Sequence, residues 1–285
     1  MRAIHSLSEL SLAAILHPLE QDGIVTERAL MEVNDAQPPL RDPHRLISNI
    51  SHPELLEFQP QQDNGHAILI IPGGGYQFVS IDNEGIEVAK GLSSMGYHAF
   101  CLNYRLPNNN DGSDLEELTP IVDARAALSV VRQLAPKAKV GVMGFSAGGH
   151  LAGWLSTDKR SSRPDFTCLM YPVVSMTSDF THLGTYENVV NALHDAQQVS
   201  LLSIDKRISS DVAPMFIMHA KDDEVVVAEH SIKLHHALLA ASVPSELTLF
   251  ERGGHGFGAY VREGSDAKGW LQRFDDWVHN LDMDQ

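Results

Sequence analysis

The sequence predicts an α/β fold, a mostly parallel central sheet with helices on both faces, and three observations carry that reading. Apolar runs of strand length recur along the chain, most of them are continuous rather than alternating, and segments of helical period lie between them. A strand covered on both faces has no solvent side to mark with polar residues. A parallel neighbour also needs a crossover long enough to hold a helix. With 285 residues the chain can cover such a sheet on both sides as one domain, residues 1–285.

Residues 1–44 carry no strong periodic signal and read as an N-terminal extension, with turn residues at Pro38-Pro39. Arg45 to Phe58 reads as one or two early strands, loosely alternating and broken at Pro53, and Asn64-Gly65 makes a turn. The regular series then follows, with strands at Ala67–Ile71, Tyr97–Leu102, Val140–Met143, Phe166–Tyr171, Met215–Met218 and Glu246–Phe250. Ile121, Ala124, Leu128 and Val131 share one helical face, with Thr119 expected as N-cap and Pro120 at the first helical position. A second helix runs from Ala147 to about Thr157, and a third carries Leu234, Leu238 and Ala241 before Pro244. Trp270, Leu271, Phe274, Trp277, Val278 and Leu281 form the apolar stripe of a C-terminal helix. Thr177 to Ala213 interrupts the rhythm and reads either as a small cap over one side of a site or as a surface insertion. Ligands of such sheets bind beyond the carboxyl ends of the strands, so the loops after the strands are where chemistry is expected.

Composition narrows the function classes. Asp and Glu number 37 against 21 Lys and Arg, a formal charge of −16 that repels phosphate backbones and anionic membranes, so neither nucleic acid nor membrane is an expected partner. No apolar stretch reaches the ~20 residues that span a bilayer. Leu10 to Leu16 is short, follows Glu9 and has no small-residue cleavage site after it, so a signal peptide is not expected and a cytoplasmic location is, unless a leader was removed. The 15 histidines include no pair at metal-ligand spacing beside a carboxylate or cysteine cluster, so no metal is expected. Cys101 and Cys168 each lie inside an apolar run and read as core hydrophobes.

Chemistry concentrates at four places. Gly144-Phe145-Ser146-Ala147-Gly148 stands between a buried strand and a helix. A serine at so sharp a turn adopts strained backbone angles, and the turn lifts its hydroxyl above the sheet at the positive end of the next helix. A serine hydroxyl needs a base, and His255, flanked by glycines just after the last strand, is placed to be it. Asp222 and Asp223 follow the preceding strand and offer the carboxylate that would orient the imidazole. Gly73-Gly74-Gly75 follows the first regular strand; successive glycines let backbone N–H groups converge on one developing oxyanion. The loop has neither Gly-Lys-Ser/Thr nor G-x-G-x-x-G spacing, which argues against phosphate binding.

At these residues the sequence resembles the α/β-hydrolase superfamily, and within it the serine esterases with a triple-glycine oxyanion loop. Ile71-Pro72-Gly73-Gly74-Gly75-Tyr76 lacks the leading histidine of the lipase form and is similar to the acetylxylan-esterase and feruloyl-esterase branch. Asn103-Tyr104-Arg105-Leu106, Gly144 through His150 and Arg252 through Gly256 match that branch too, over roughly residues 45 to 282. The resemblance implies Ser146 as nucleophile, His255 as general base and acid, and an oxyanion hole made by the backbone N–H groups of Gly74, Gly75 and Ala147. The branch's acid lies four residues after a histidine in His-Gly-x-x-Asp, which from His219 lands on Asp223. The chain departs from the pattern at Ala220, where glycine is usual, and at Val227, where proline is common. The implied activity is hydrolysis of short-chain acyl esters, acetyl above all, on small molecules such as acetylated sugars or xylo-oligosaccharides, with no cofactor. Two other readings stay open: a peptidase or amidase on the same fold, and a hydrolase fold kept as a binding protein.

Overall fold

The six apolar runs form strands whose bounds differ from the sequence reading by no more than two residues. The computed structural model describes residues 15–20, 23–24, 32–33, 45–108, 111, 114–193, 198 and 200–283. Pro38-Pro39 and most of the Leu10–Leu16 run lie outside the described residues. The strands are β1 (Ile15–Glu20), β2 (Gly23–Ile24), β3 (Glu32–Val33), β4 (Leu46–Ser48), β5 (Glu54–Phe58) and β6 (His66–Ile71). They continue as β7 (Val79–Ser80), β8 (His98–Asn103), β9 (Lys139–Phe145), β10 (Phe166–Met170), β11 (Met215–Ala220) and β12 (Ser245–Phe250). The helices are α1 (Glu87–Ser94), α2 (Thr119–Leu134), α3 (Ala147–Thr157), α4 (Leu183–Leu193), α5 (Glu229–Ala240) and α6 (Trp270–Met283).

The main sheet has the order β12-β11-β10-β9-β6-β8-β5-β1-β2, and β3, β4 and β7 form a small second sheet. Pairing is parallel from β12 through to β8 and antiparallel at β8–β5, β5–β1 and β1–β2. Every residue of β6, β10 and β11 is buried, which accounts for the continuous apolar runs. After β6 the chain moves outward to β8, then returns to the other side of β6 to lay down β9. That reversal is the switch point at which α/β sheets open a crevice. Ile71 pairs with Gly144 across it, so the loop after β6 and the turn after β9 leave the sheet at the same level. The expected glycine loop and serine turn therefore begin side by side.

The sequence reading differs from the structure in several elements. Ile15–Glu20 enters the main sheet beside β5, although its His17 and Pro18 obscure any strand pattern. Glu57 of β5 joins the imidazoles of His17 and His98 on the flanking strands, at 2.5 and 2.6 Å. Thr119 is the first residue of α2 rather than its cap, which is Leu118. Asp111 takes the capping part, accepting the Thr119 N–H at 3.2 Å and also its hydroxyl. A carboxylate arriving from eight residues upstream leaves no local signature. Thr177 to Ala213 contains α4 and two short 3₁₀ turns, Ser200–Leu202 and Ile204–Lys206, with residues 194–197 and 199 outside the described set. On the C-terminal helix, Trp277 stacks on Phe216 of β11 with centroids 5.3 Å apart, and Trp270 donates its indole N–H to the Gly258 carbonyl at 2.7 Å. The apolar stripe of α6 thus braces the loop that carries His255. Cys101 and Cys168 are both buried and free. Among the described residues no helix is long and apolar enough to cross a membrane.

Candidate active site

Ser146 sits between β9 and α3 with φ 52° and ψ −118°, a region that costs a non-glycine residue about 1–3 kcal/mol. Backbone bonds hold it there: its N–H donates to Met170 O at 3.0 Å, and its carbonyl accepts from His150 and Val173. The close approach at this turn dictates a glycine at position 148. A Cβ there would lie 2.2 and 2.3 Å from the carbonyl oxygens of Ile71 and Pro72, so only glycine lets the first turn of α3 pack on the end of β6.

The hydroxyl of Ser146 lies 2.9 Å from Nε2 of His255, and Nδ1 of that ring lies 2.7 Å from Oδ2 of Asp223. A carboxylate only accepts, so Nδ1 carries the proton and Nε2 receives the serine O–H. Asp223 is buried, and its Oδ1 accepts the N–H groups of Val225 and Val226 at 2.9 Å each. Burial alone would raise its pKa. Hydrogen bonds from His219 and His255, with the charge of the latter, outweigh that and hold the carboxyl well below the usual range. Asp222 is used differently: its Oδ1 accepts the N–H groups of Gly253 and Gly254, each at 2.8 Å, and so ties down the chain just before His255. The two adjacent aspartates thus diverge, one to the imidazole and one to its loop.

The glycine loop closes over the serine. A Cβ on Gly73 would lie 2.8 Å from Cβ of Ser146. Gly74 has φ +133°, and its carbonyl accepts from Gln77 and Phe78 at 2.9 and 3.2 Å. The Gly73 N–H is spent on Glu84. Among the described residues no hydrogen bond engages the N–H groups of Gly74, Gly75 or Ala147. Gly74 and Gly75 are half-buried and face the open cleft, so their N–H groups are within reach of a bound molecule. A cluster of them beside a polarised serine is placed to receive an oxygen that gains charge. Gly74, Gly75, Ser146 and His255 line one open cleft of about 570 Å³, and Ala147 lies buried directly behind the serine.

Several residues that motif reading did not single out complete the cleft. His182, just before α4, lines it, and Nδ1 of that ring accepts the Thr185 N–H at 3.2 Å, which leaves the proton on Nε2. Desolvation, with the charge of His255, pushes its pKa down, so it stays a neutral donor. Asn188 of α4 donates to the Gly75 carbonyl at 2.9 Å. The Thr177 to Ala213 segment therefore touches the glycine loop directly. His150 of α3 accepts the Tyr76 hydroxyl at 2.9 Å and donates to Leu202 O at 2.8 Å, with burial pushing its pKa down to about 4. Glu84, in a π-helical turn ahead of α1, reaches both the glycine loop and Tyr171. His150 falls inside the Gly144-through-His150 match, but its partners Tyr76 and Leu202, like those of Asn188 and Glu84, become neighbours only when distant loops are brought together. Among the described residues no group of three or more His, Cys, Asp or Glu could hold a metal ion.

The comparisons with known proteins agree with this architecture. An acetylxylan esterase of Xylanibacter ruminicola is 32% identical over 222 residues, which cover 74% of this chain and 45% of that protein. Endo-1,4-beta-xylanase B of Butyrivibrio fibrisolvens is 31% identical over 206 residues, 66% of this chain and 32% of that protein. The chain thus spans less than half the length of either curated relative. The crystal structure of an acetyl ester-xyloside bifunctional hydrolase from Caldicellulosiruptor lactoaceticus superposes with a TM-score of 0.71 at 32% identity, covering 88% of this chain and 96% of that one. The prolyl oligopeptidase family model matches residues 109–282, which contain the serine turn, both aspartates and the histidine loop. The chain has the α/β-hydrolase fold and belongs to the prolyl oligopeptidase family.

Proposed function

We propose that this protein is a serine carboxylic-ester hydrolase that removes short acyl groups, acetyl above all, from sugars such as xylo-oligosaccharides. The observation that carries the reading is the Ser146–His255–Asp223 chain of hydrogen bonds, at 2.9 and 2.7 Å, opening into a cleft that it shares with unspent backbone donors. As Ser146 Oγ attacks the ester carbonyl carbon, its proton passes to Nε2 of His255, and Asp223 stabilises the imidazolium. The oxygen that gains charge is received by the N–H groups of Gly74, Gly75 and Ala147. Collapse breaks the bond to the alcohol oxygen, which takes the proton from Nε2 and leaves acyl-Ser146. Water then repeats the sequence, giving up a proton to Nε2, and the carboxylic acid departs as Ser146 regains its own.

The choice of substrate leans on chemistry and on relatives. The cleft wall carries polar groups, among them Gln77, His182, Asn188 and Arg262, suited to a hydroxylated alcohol. Acetylxylan esterase and acetyl ester-xyloside hydrolase are what two similar proteins are called. The family's name favours a second reading, cleavage of an amide at the same serine. The relay serves both acyl groups, and the leaving group decides. Turnover of 4-nitrophenyl acetate and acetylated xylo-oligosaccharides, with 4-nitroacetanilide alongside, tests both. Hydrolysis of the esters with little anilide cleavage is the expected result. Faster anilide cleavage would replace the esterase reading, and failure of a fluorophosphonate to label Ser146 would remove hydrolysis altogether.

A further inference from the structure

The π-helical turn Asp82–Ile86 lies against the cleft but takes no part in the proton relay. We propose that Asn83 and Glu84 are positioning residues that lock the glycine loop and the His255 loop into one fixed relation; this rests on the hydrolase reading above. The turn is defined by an Ile86 N–H to Ile81 O bond of 2.7 Å, and such turns recur at functional sites. Glu84 is 4% exposed, and each of its oxygens accepts one donor. Oε2 takes the Gly73 N–H at 2.9 Å, which sets the residue immediately before the unspent donors of Gly74 and Gly75. Oε1 takes the Tyr171 hydroxyl at 2.8 Å.

Tyr171 carries the connection to the base. Its hydroxyl oxygen accepts the Gly258 N–H at 3.0 Å, so its single proton is committed to Glu84. Its ring packs edge-on against His255, centroids 4.9 Å apart, and against Phe257 at 4.7 Å. Asn83 grips the same loop: its Nδ2 donates to Gly256 O at 2.8 Å, its Oδ1 accepts the Tyr260 N–H at 2.9 Å, and its carbonyl accepts the Ala259 N–H at 2.9 Å. Two consecutive residues therefore hold the strand-β6 loop with one hand and the strand-β12 loop with the other. Burial pushes the Glu84 pKa up, opposed by the charge of His255 and the donors Tyr171 and Gly73. Both oxygens act as acceptors, a pattern that a glutamine cannot reproduce.

Glu84→Gln keeps the shape but turns one acceptor into a donor facing a donor, either Gly73 N–H or Tyr171 O–H. The expected result is a fall in kcat of about 10²-fold with KM for 4-nitrophenyl acetate changed by less than about threefold, in protein folded by circular dichroism. Tyr171→Phe keeps the ring and removes the shared hydroxyl; it should lower kcat by about tenfold and serves as the second variant should Glu84→Gln not fold. The double variant should be no slower than Glu84→Gln alone, since the link is already broken. The rate of phosphonylation by a fluorophosphonate should follow the same order, a readout that survives if the natural substrate is not an ester. Wild-type kcat and phosphonylation rate in a folded Glu84→Gln variant, or additive losses in the pair, would overturn the proposal. Absence of esterase turnover with intact phosphonylation differences would instead count against the ester reading alone.

Discussion

Asp223→Asn is expected to disable the enzyme by trapping the wrong tautomer of His255, and the surroundings of this one side chain set the size of the effect. Oδ1 of Asp223 accepts two backbone N–H groups, from Val225 and Val226, while Oδ2 faces His255. An asparagine that keeps its carbonyl on those two donors must aim its NH₂ at Nδ1. The ring then takes its proton on Nε2 and donates to Ser146 instead of accepting from it. The opposite orientation restores the productive tautomer but sets the NH₂ against two backbone donors. At about 1–3 kcal/mol per unmet donor, that state lies about 2–6 kcal/mol higher, a population of about one in thirty to one in 10⁴. The triad precedent for the same change is a fall of about 10⁴ in kcat, at the upper end of that span. Asp222→Asn should cost less than about threefold, because both of the loop bonds of Asp222 end on a single oxygen that asparagine also has. Asp222→Ala loses both and should be the worse of the two. Steady-state hydrolysis of 4-nitrophenyl acetate, with circular dichroism on each variant, decides the matter. More than a tenth of wild-type kcat in folded Asp223→Asn, or a larger loss in Asp222→Asn, would refute the reasoning.

Ser146→Ala should fold, since it removes one hydroxyl at the cleft wall, and should retain no more than the residual ~10³–10⁴-fold acceleration over water that binding and the backbone donors supply; near-wild-type turnover would dismiss the nucleophile. His182→Phe keeps a ring but removes the Nε2–H donor together with the Nδ1 acceptor of the Thr185 N–H, so KM for acetylated xylo-oligosaccharides should rise several-fold and by more than KM for 4-nitrophenyl acetate; equal effects on both would deny it a sugar contact. His150 is held near pKa 4 in the folded chain against an ordinary 6.5, so the unfolded chain takes its proton first as pH falls. Its contribution is full above pH 6.5 and declines by about 1.4 kcal/mol per pH unit down to about pH 4. The stability difference between wild type and His150→Gln, measured by denaturant unfolding, should shrink across that window, and a constant difference would show that the ring is not kept neutral. Taking the difference removes groups common to both, including Glu54, whose carboxyl is pushed up to about 7 by burial and titrates with the opposite sign.

What could be read from the sequence, and what could not, follows from how each feature is encoded. Strands buried on two faces and helices with one apolar face are written in neighbouring residues, so β6, β8, β9, β10 and β11 were legible to within two residues, as was the partly buried edge strand β12 from its apolar run. The serine turn was legible for the same reason, since the steric demand of the packing of Gly148 on Ile71 and Pro72 is met by one glycine beside it. Ile15–Glu20 was not, because its place is set by pairing with Glu54–Phe58 about forty residues later rather than by its own pattern. Asp111, Glu84, His150 and His182 failed likewise: each is a polar residue whose partners, Thr119, Gly73, Tyr76 and Thr185, become neighbours only in space or through a turn that the local sequence does not announce. The high histidine count illustrates the point. The chain has fifteen histidines and no pair at metal-ligand spacing beside a carboxylate or cysteine cluster; His150, His219 and His230 are instead buried connectors, each using both ring nitrogens. His219 meets Ser231 and the Val226 carbonyl, and His230 meets the N–H groups of Val174 and Ser175 and the Phe180 carbonyl. A neutral imidazole offers one donor and one acceptor at opposite ends of a rigid ring. It can therefore tie a loop carbonyl to a distant N–H or hydroxyl where no single backbone bond would reach. His150 and His230 do this for the segment after β10, and His219 does it for the loop that carries Asp223, so the histidines outside the relay help to hold the walls of the cleft against it.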